Sequence, residues 1–353
     1  MRKLSLLMCL LLLFSCTQEK EEVFPNYEVK VFMRDDILNT KFLKGEKLDF
    51  GEFLEPRYIM VNEDYILVCE NGLNDIFYVY DKEALTYVKS MGKDGFGPGE
   101  ISRSNFLHKG LSKGDFWVYD NEGRTFNKFN LYNDTSKLAV NQIKQTDALA
   151  SATNFVPITD STFMAMAMDS EYKFLEYNWN GDLINTYGKW EHMSEESFSS
   201  FILFVVNQGK LIGSADRIFF GICGVQRDYI DILNRETGKV LSIRGPENID
   251  PEFEIDNSRG FDYPLMKSDE THYRGLFFGK SSIFALYCGF TDKESIEKQE
   301  SRIFEFDYNG NVRNEYILDY SILSFTVDEE EKMFYCVSFH EEDPNVVLFS
   351  YDE

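Results

Sequence analysis

The chain has 353 residues, 43% hydrophobic and 27% charged, with 60 acidic against 36 basic residues and a net charge of −24. Its 32 Phe and 20 Tyr carry too much apolar surface for a disordered acidic chain, so a large core must be buried. The same acidity argues against a nucleic-acid binder, whose affinity rests on basic side chains meeting phosphates.

Arg2 and Lys3 precede an apolar run from Leu4 to Phe14, which ends at Ser15-Cys16. A basic start followed by about ten apolar residues predicts a signal peptide over 1–15, because a spanning helix needs about twenty. Leu13-Phe14-Ser15-Cys16 resembles the lipobox of bacterial lipoproteins, and the resemblance makes Cys16 the lipidation site. Ordinary secretory cleavage beside a bystander Cys16 is the other reading. Each buried methylene contributes about 0.8 kcal/mol, so two or three acyl chains, palmitate among them, give a stable anchor. Residues 16–46 then form the lipidated Cys and a lead-in that begins as the acid-rich tether Thr17-Gln18-Glu19-Lys20-Glu21-Glu22. A similar acidic stretch sends Bacteroidetes lipoproteins to the outer surface. This one matches no such motif cleanly, so periplasmic and surface-facing placements on the outer membrane both stay open.

From residue 48 onward, runs rich in Val, Ile, Phe and Tyr alternate with turn signals at the spacing of antiparallel hairpins. The runs also repeat: Arg-Ile-Phe-Phe-Gly-Ile-Cys-Gly at 217–224 aligns with Ser-Ile-Phe-Ala-Leu-Tyr-Cys-Gly at 282–289, 65 residues later. Four strands per unit give, in order, 57–61, 65–70, 75–81 and 85–91, then 106–109, 115–120, 125–131 and 137–143. The third unit takes 153–158, 162–168, 172–178 and 183–187. The fourth takes 204–212, 217–223, 229–234 and 239–243. The fifth takes 273–278, 282–288, 302–308 and 312–318. The sixth has 322–327, 332–339 and 346–351, one strand short. The stretch 47–53 supplies the missing strand and closes the ring, which hides the edges that template aggregation. Each unit averages about 51 residues, the size of a four-stranded blade with its loops. The sequence therefore predicts an all-β fold, a six-bladed β-propeller of four-stranded antiparallel blades over 47–353. Seven blades or a two-domain β protein are the rivals.

Beyond Cys9 in the signal and Cys16, the remaining cysteines are Cys69, Cys223, Cys288 and Cys336, each inside an apolar run. No C-x-x-C spacing supports zinc or redox chemistry. Four buried thiols are expected, with one disulfide as the alternative.

Between the first two units runs Gly92-Lys93-Asp94-Gly95-Phe96-Gly97-Pro98-Gly99-Glu100. This G-K-x-G-x-G-P-G-E pattern resembles the signature of TolB-like, six-bladed propeller lipoproteins of Bacteroidetes. The resemblance implies the propeller fold and an address in the cell envelope, and little chemistry. Physically the run is an inter-blade connection in which glycines and a fixed proline make a tight reversal. It lacks the following helix that a dinucleotide-binding loop needs, and its role is read as structural, with direct contact to a ligand as the alternative.

Propellers carry their sites on one face, around the mouth of the central channel. The longest loop here is 246–271, with 188–200 and 289–301 next. In so acidic a chain, bases aimed at the mouth stand out as ligand-binding candidates, namely Arg57, Arg103, Arg227, Arg259 and Arg274, joined by Phe261 and Tyr263 of the longest loop. Arg offers a planar fork for carboxylates and sugar acids, although each of these can equally be paired with a neighbouring acid. The four histidines form no metal-binding pattern, and no G-x-S-x-G elbow is present. Asp160-Ser161-Thr162 resembles the three-residue O-glycosylation site of Bacteroidetes exported proteins, which makes Ser161 a modification candidate.

The preferred reading is a membrane-anchored binding or scaffold module without catalysis or cofactor, presenting its loops to a glycan, peptide or envelope protein. The alternative is a calcium-dependent, lactonase-like hydrolase or lyase with its site at the channel mouth. Geometry discriminates them: three or four carboxylate and amide groups converging there favour calcium, and a ring of apolar and basic side chains favours the binder.

Overall fold

The computed structural model describes residues 26–51, 53–71, 74–191, 198–258, 260–339 and 345–352. Six four-stranded antiparallel sheets are arranged as the blades of a propeller. The innermost strands, in ring order, are Pro56–Val61, Ser104–Lys109, Ala152–Pro157, Gly209–Gly213, Thr271–Phe278 and Ile322–Asp328, which head blades I to VI. The fold expected from the sequence is thus the fold observed. Asn and Asp side chains pin several of the outer hairpins. Asn178 Oδ1 accepts the backbone N–H groups of Asn180 and Asp182, and Asp307 does the same for Asn309 and Asn311. Gly181 and Gly310 complete these two turns at φ of +93° and +80°, a region open mainly to glycine.

The core is divided into six apolar clusters, one between each pair of neighbouring blades. Blades I and II meet through Phe77, Phe116 and Phe129, and blades V and VI through Phe284, Phe334 and Tyr351. This accounts for the aromatic content, because flat rings fill the wedge between twisted sheets. Cys69, Cys223, Cys288 and Cys336 are all buried and unpaired. Burial pushes the Cys223 thiol up to about 11 and Cys69 to about 12, so these thiols are small core hydrophobes.

The ring closes as expected but with a shorter strand. Three N-terminal strands precede blade I: β1 (Tyr27–Val31), β2 (Thr40–Leu43) and β3 (Glu46–Lys47). β3 pairs antiparallel with Val346–Ser350 of blade VI, and the Leu48 N–H continues the ladder to the Val346 carbonyl at 2.9 Å. The lead-in has a structural role of its own. β1 adds a parallel fifth strand to the outer edge of blade IV, and β2 does the same on blade V. Three loops also carry elements that the strand pattern misses. Residues 204–206, read as the start of a strand, belong to helix α1 (Ser200–Val206), whose N-cap Ser199 accepts the Ile202 N–H. Loop 246–271 contains a hairpin, Phe253–Asp256 with Tyr263–Met266. Loop 289–301 contains α2 (Asp292–Lys298), begun by a Thr291–Glu294 capping box.

Candidate functional site

Five of the six innermost strands carry a register break close to where they begin. The unpaired residues include Arg57 in blade I, Phe106 in blade II and Arg274 in blade V. Blade IV runs without a break. A bulge turns a side chain out of the ladder, and here it places one of the expected arginines, Arg274, in the channel lining.

The channel holds a chamber of about 260 Å³. Its walls come from blades I, II, IV, V and VI. Ile59, Leu276, Phe277 and Phe325 supply apolar surface, and Lys109, Lys210, Arg217 and Arg274 supply charge. Among the described residues the lining contains no Asp, Glu, Asn or Gln. In a chain with 60 acids, this is a selective placement.

The cations differ in how they are satisfied. Arg274 donates to the Ile322 carbonyl at 3.0 Å and to Asp292 at 2.8 Å, beneath the Phe339 ring. Lys210 donates to the Arg274 carbonyl at 2.7 Å, and among the described residues no carboxylate pairs with it. Burial lowers its pKa; the Cys223 thiol pulls the other way, while the Arg274 and Arg57 guanidinium groups push it further down. Arg217 reaches from the first turn of blade IV to the Ser214 carbonyl at 2.7 Å and, past blade III, to the Lys109 carbonyl of blade II. Burial draws it down to about 10, and its Nε finds no partner. The neighbouring His108 Nε2 and Ser324 Oγ are likewise buried and unpartnered among the described residues.

The expected ligand residues therefore divide. Arg274 lines the chamber, and Arg57 lies at its edge, ion-paired with Glu55, which Arg103 approaches at 3.9 Å. Arg227 stands apart, bound to Asn207 at 3.0 Å and Asp250 at 2.8 Å. Phe261 and Tyr263 form an aromatic group with Phe201, at ring separations of 6.0 and 6.1 Å, on the long-loop hairpin. Arg259 lies outside the described residues, as do Cys16, His192 and His340. Ser161 is exposed in its turn, 3.2 Å from the Thr159 hydroxyl.

Glu100 of the glycine-rich run receives the Lys93 ammonium and the Gly97 N–H, the latter at 2.8 Å. The run is stitched to blade II by Gly99 N–H to Gln142 at 3.2 Å and by Gly92 N–H to the Lys137 carbonyl at 2.8 Å. Those bonds make it a clasp between blades I and II.

The sequence reading overlooked Lys109, Lys210, Arg217 and His108. Lys210 and His108 sit within strands, where alternation alone does not tell a channel-lining base from a surface one. The lining also bears on calcium. That ion takes six to eight oxygen ligands from carboxylates, carbonyls and water, and no described side chain of the chamber lining is a carboxylate or an amide. Among the described residues no three His, Cys, Asp or Glu side chains are grouped to hold a metal.

Fold and chamber together define a closed six-bladed propeller with a cation-bearing central cavity. The family model of TolB-like, 6-blade propeller-like proteins matches residues 34–330, and the chain belongs to that family. Among solved structures, an exported protein of Bacteroides fragilis is 15% identical, with a TM-score of 0.54 over 92% of this chain and 98% of its own. A DUF4221 family member from Bacteroides vulgatus is 10% identical, with a TM-score of 0.57 over 87% of this chain and 95% of its own. A luciferin-regenerating enzyme is 9% identical, with a TM-score of 0.50 over 87% and 95%. At these identities the likeness is one of fold. No curated protein matches the sequence. No helix among the described residues is long and apolar enough to cross a membrane.

Proposed function

We propose that the protein is an envelope-tethered ligand-binding module, anchored to the outer membrane through lipidated Cys16, whose site is the central chamber. The acid-free, partly apolar lining carries this reading. Chamber cations held without carboxylate partners are costly to keep desolvated, and a bound ligand is what offsets that cost. The chamber lies just under the roughly 300–1,000 Å³ of drug-sized pockets, which favours a small molecule there; a glycan, peptide or envelope protein would meet the rim loops. An exported Bacteroides fragilis protein of the same fold agrees with the lipobox in pointing to the envelope. The calcium-dependent lactonase-like alternative finds no carboxylate or side-chain amide among the described lining residues to support it.

The test is native mass spectrometry of the mature protein extracted from its own envelope, beside a Gly275→Leu variant. A Cβ at Gly275 meets only the Phe325 ring, at 3.7 Å, so a larger side chain has room to grow into the chamber. A small molecule retained by the wild type and lost from the variant supports the reading. An identical mass on both proteins, or none on either, overturns it.

A further inference from the structure

We infer that the chamber takes a small organic anion, its charged group seated on the Lys210 ammonium and its apolar body against Ile59, Leu276, Phe277 and Phe325. This rests on the chamber being the ligand site and names what enters it.

Three observations converge on that class. The first is the one-sided charge of the lining, with four cations and no acid. A low-dielectric cleft of one sign focuses its field and concentrates counter-ions. The net −24 of the whole molecule makes the contrast with the surroundings sharper. The second is the state of the individual cations. Arg274 is satisfied by Asp292 and Arg57 by Glu55. Lys210 has only a carbonyl acceptor, which leaves two of its three N–H bonds to bestow. The Arg274 and Arg57 charges repel it, and an arriving anion relieves that repulsion. The third is the wall. Aromatic and branched side chains face the same space, so a ligand wholly polar along its length, such as inorganic phosphate, would leave apolar surface against charge.

The buried, unpartnered His108 Nε2 and Ser324 Oγ lie on lining residues too. A ring rotation at His108 or a rotamer change at Ser324 brings a polar atom to a second hydrogen-bonding group of the ligand. An acid with one further hydroxyl or carbonyl therefore fits better than a plain hydrocarbon acid.

The experiment is isothermal titration of the full mature protein in detergent with hexanoate and benzoate, against the isosteric hexanamide and benzamide. The acids are expected to bind at least about ten-fold more tightly than their amides, the scale of one charge-assisted hydrogen bond. Lys210→Met should erase that preference while leaving amide binding in place. Should the variant fold poorly, 13C reductive methylation of the wild type follows the Lys210 resonance directly, which must shift with the acids and not with the amides. Equal binding of acids and amides, both lost in Gly275→Leu, overturns the anion assignment and leaves the chamber standing as a site. Acid binding that survives Gly275→Leu unchanged overturns the chamber itself. Absence of binding by either class, with an unmoved Lys210 resonance, overturns the inference.

Discussion

Lys173 of blade III and Asp231 of blade IV meet at 2.6 Å with both side chains almost wholly buried. The Tyr27 hydroxyl of β1 completes the group, accepting from Lys173 at 2.8 Å and donating to Asp231 at 3.2 Å. The ammonium also lies over the rings of Tyr27, Trp190 and Tyr229 at 5.0 to 5.9 Å. One cation therefore ties two neighbouring blades and the N-terminal strand together.

Asp231→Ala leaves that cation buried without its main partner and is expected to lower stability by about 3–5 kcal/mol. Replacing both members, Lys173→Met with Asp231→Leu, should cost clearly less than the single change, because no charge is left stranded. Urea unfolding of the three proteins measures this. A loss below about 1 kcal/mol for Asp231→Ala would show that water reaches the pair and that its burial is not energetic.

Acid should weaken the fold through His108. Burial first, and the Arg217 charge second, hold its pKa well under the ordinary 6.5, at about 3. The unfolded chain takes up a proton there below pH 6.5, while the folded chain refuses it until about pH 3. Stability is therefore complete above 6.5 and declines as the pH falls from 6.5 toward 3, by up to roughly 5 kcal/mol. Glu305 acts lower down. Burial works to raise its pKa, but donors from Ser282, Asn314 and Tyr316 prevail and hold it below 4.5, so its share is lost only beneath that value. His108→Phe should flatten the dependence between pH 6.5 and 4.5, read from urea midpoints across that interval. Parallel profiles for variant and wild type would place the titrating group elsewhere.

The blades were legible because each strand is a run of four to eight apolar residues cut by Asn, Asp or Gly, and the likeness of 217–224 to 282–289 showed that the units repeat. The channel was not. Whether Arg57 or Arg274 enters it depends on bulges between Pro56 and Tyr58 and between Tyr273 and Gly275, which are properties of paired strands. The helix at Ser200–Val206 was masked by its unbroken apolar composition, although Ser199 ahead of it is a legible start signal. β1 alternates as a strand should, Tyr-Glu-Val-Lys-Val. Its partner, Lys239–Arg244, lies some two hundred residues away and pairs in parallel, which local pattern does not reveal.

The glycine-rich run offers the sharpest separation of a structural from a ligand role. Gly95 sits at φ +150°, and a Cβ there would collide with the Glu100 carboxylate that clasps Lys93 and the Gly97 N–H. Gly95→Ala should therefore destabilise by about 1–3 kcal/mol, through backbone strain and the displaced clasp together. Binding in the chamber, several strands away, should keep its affinity in the folded fraction. Lys93→Met removes an exposed partner and leaves the Gly97 bond, so it should move the thermal midpoint far less than Gly95→Ala. Differential scanning calorimetry and a ligand titration on the same samples decide it. Affinity lost from Gly95→Ala at an unchanged thermal midpoint would mean that the run touches the ligand, and that the geometry of this clasp serves binding more than the joint between blades I and II.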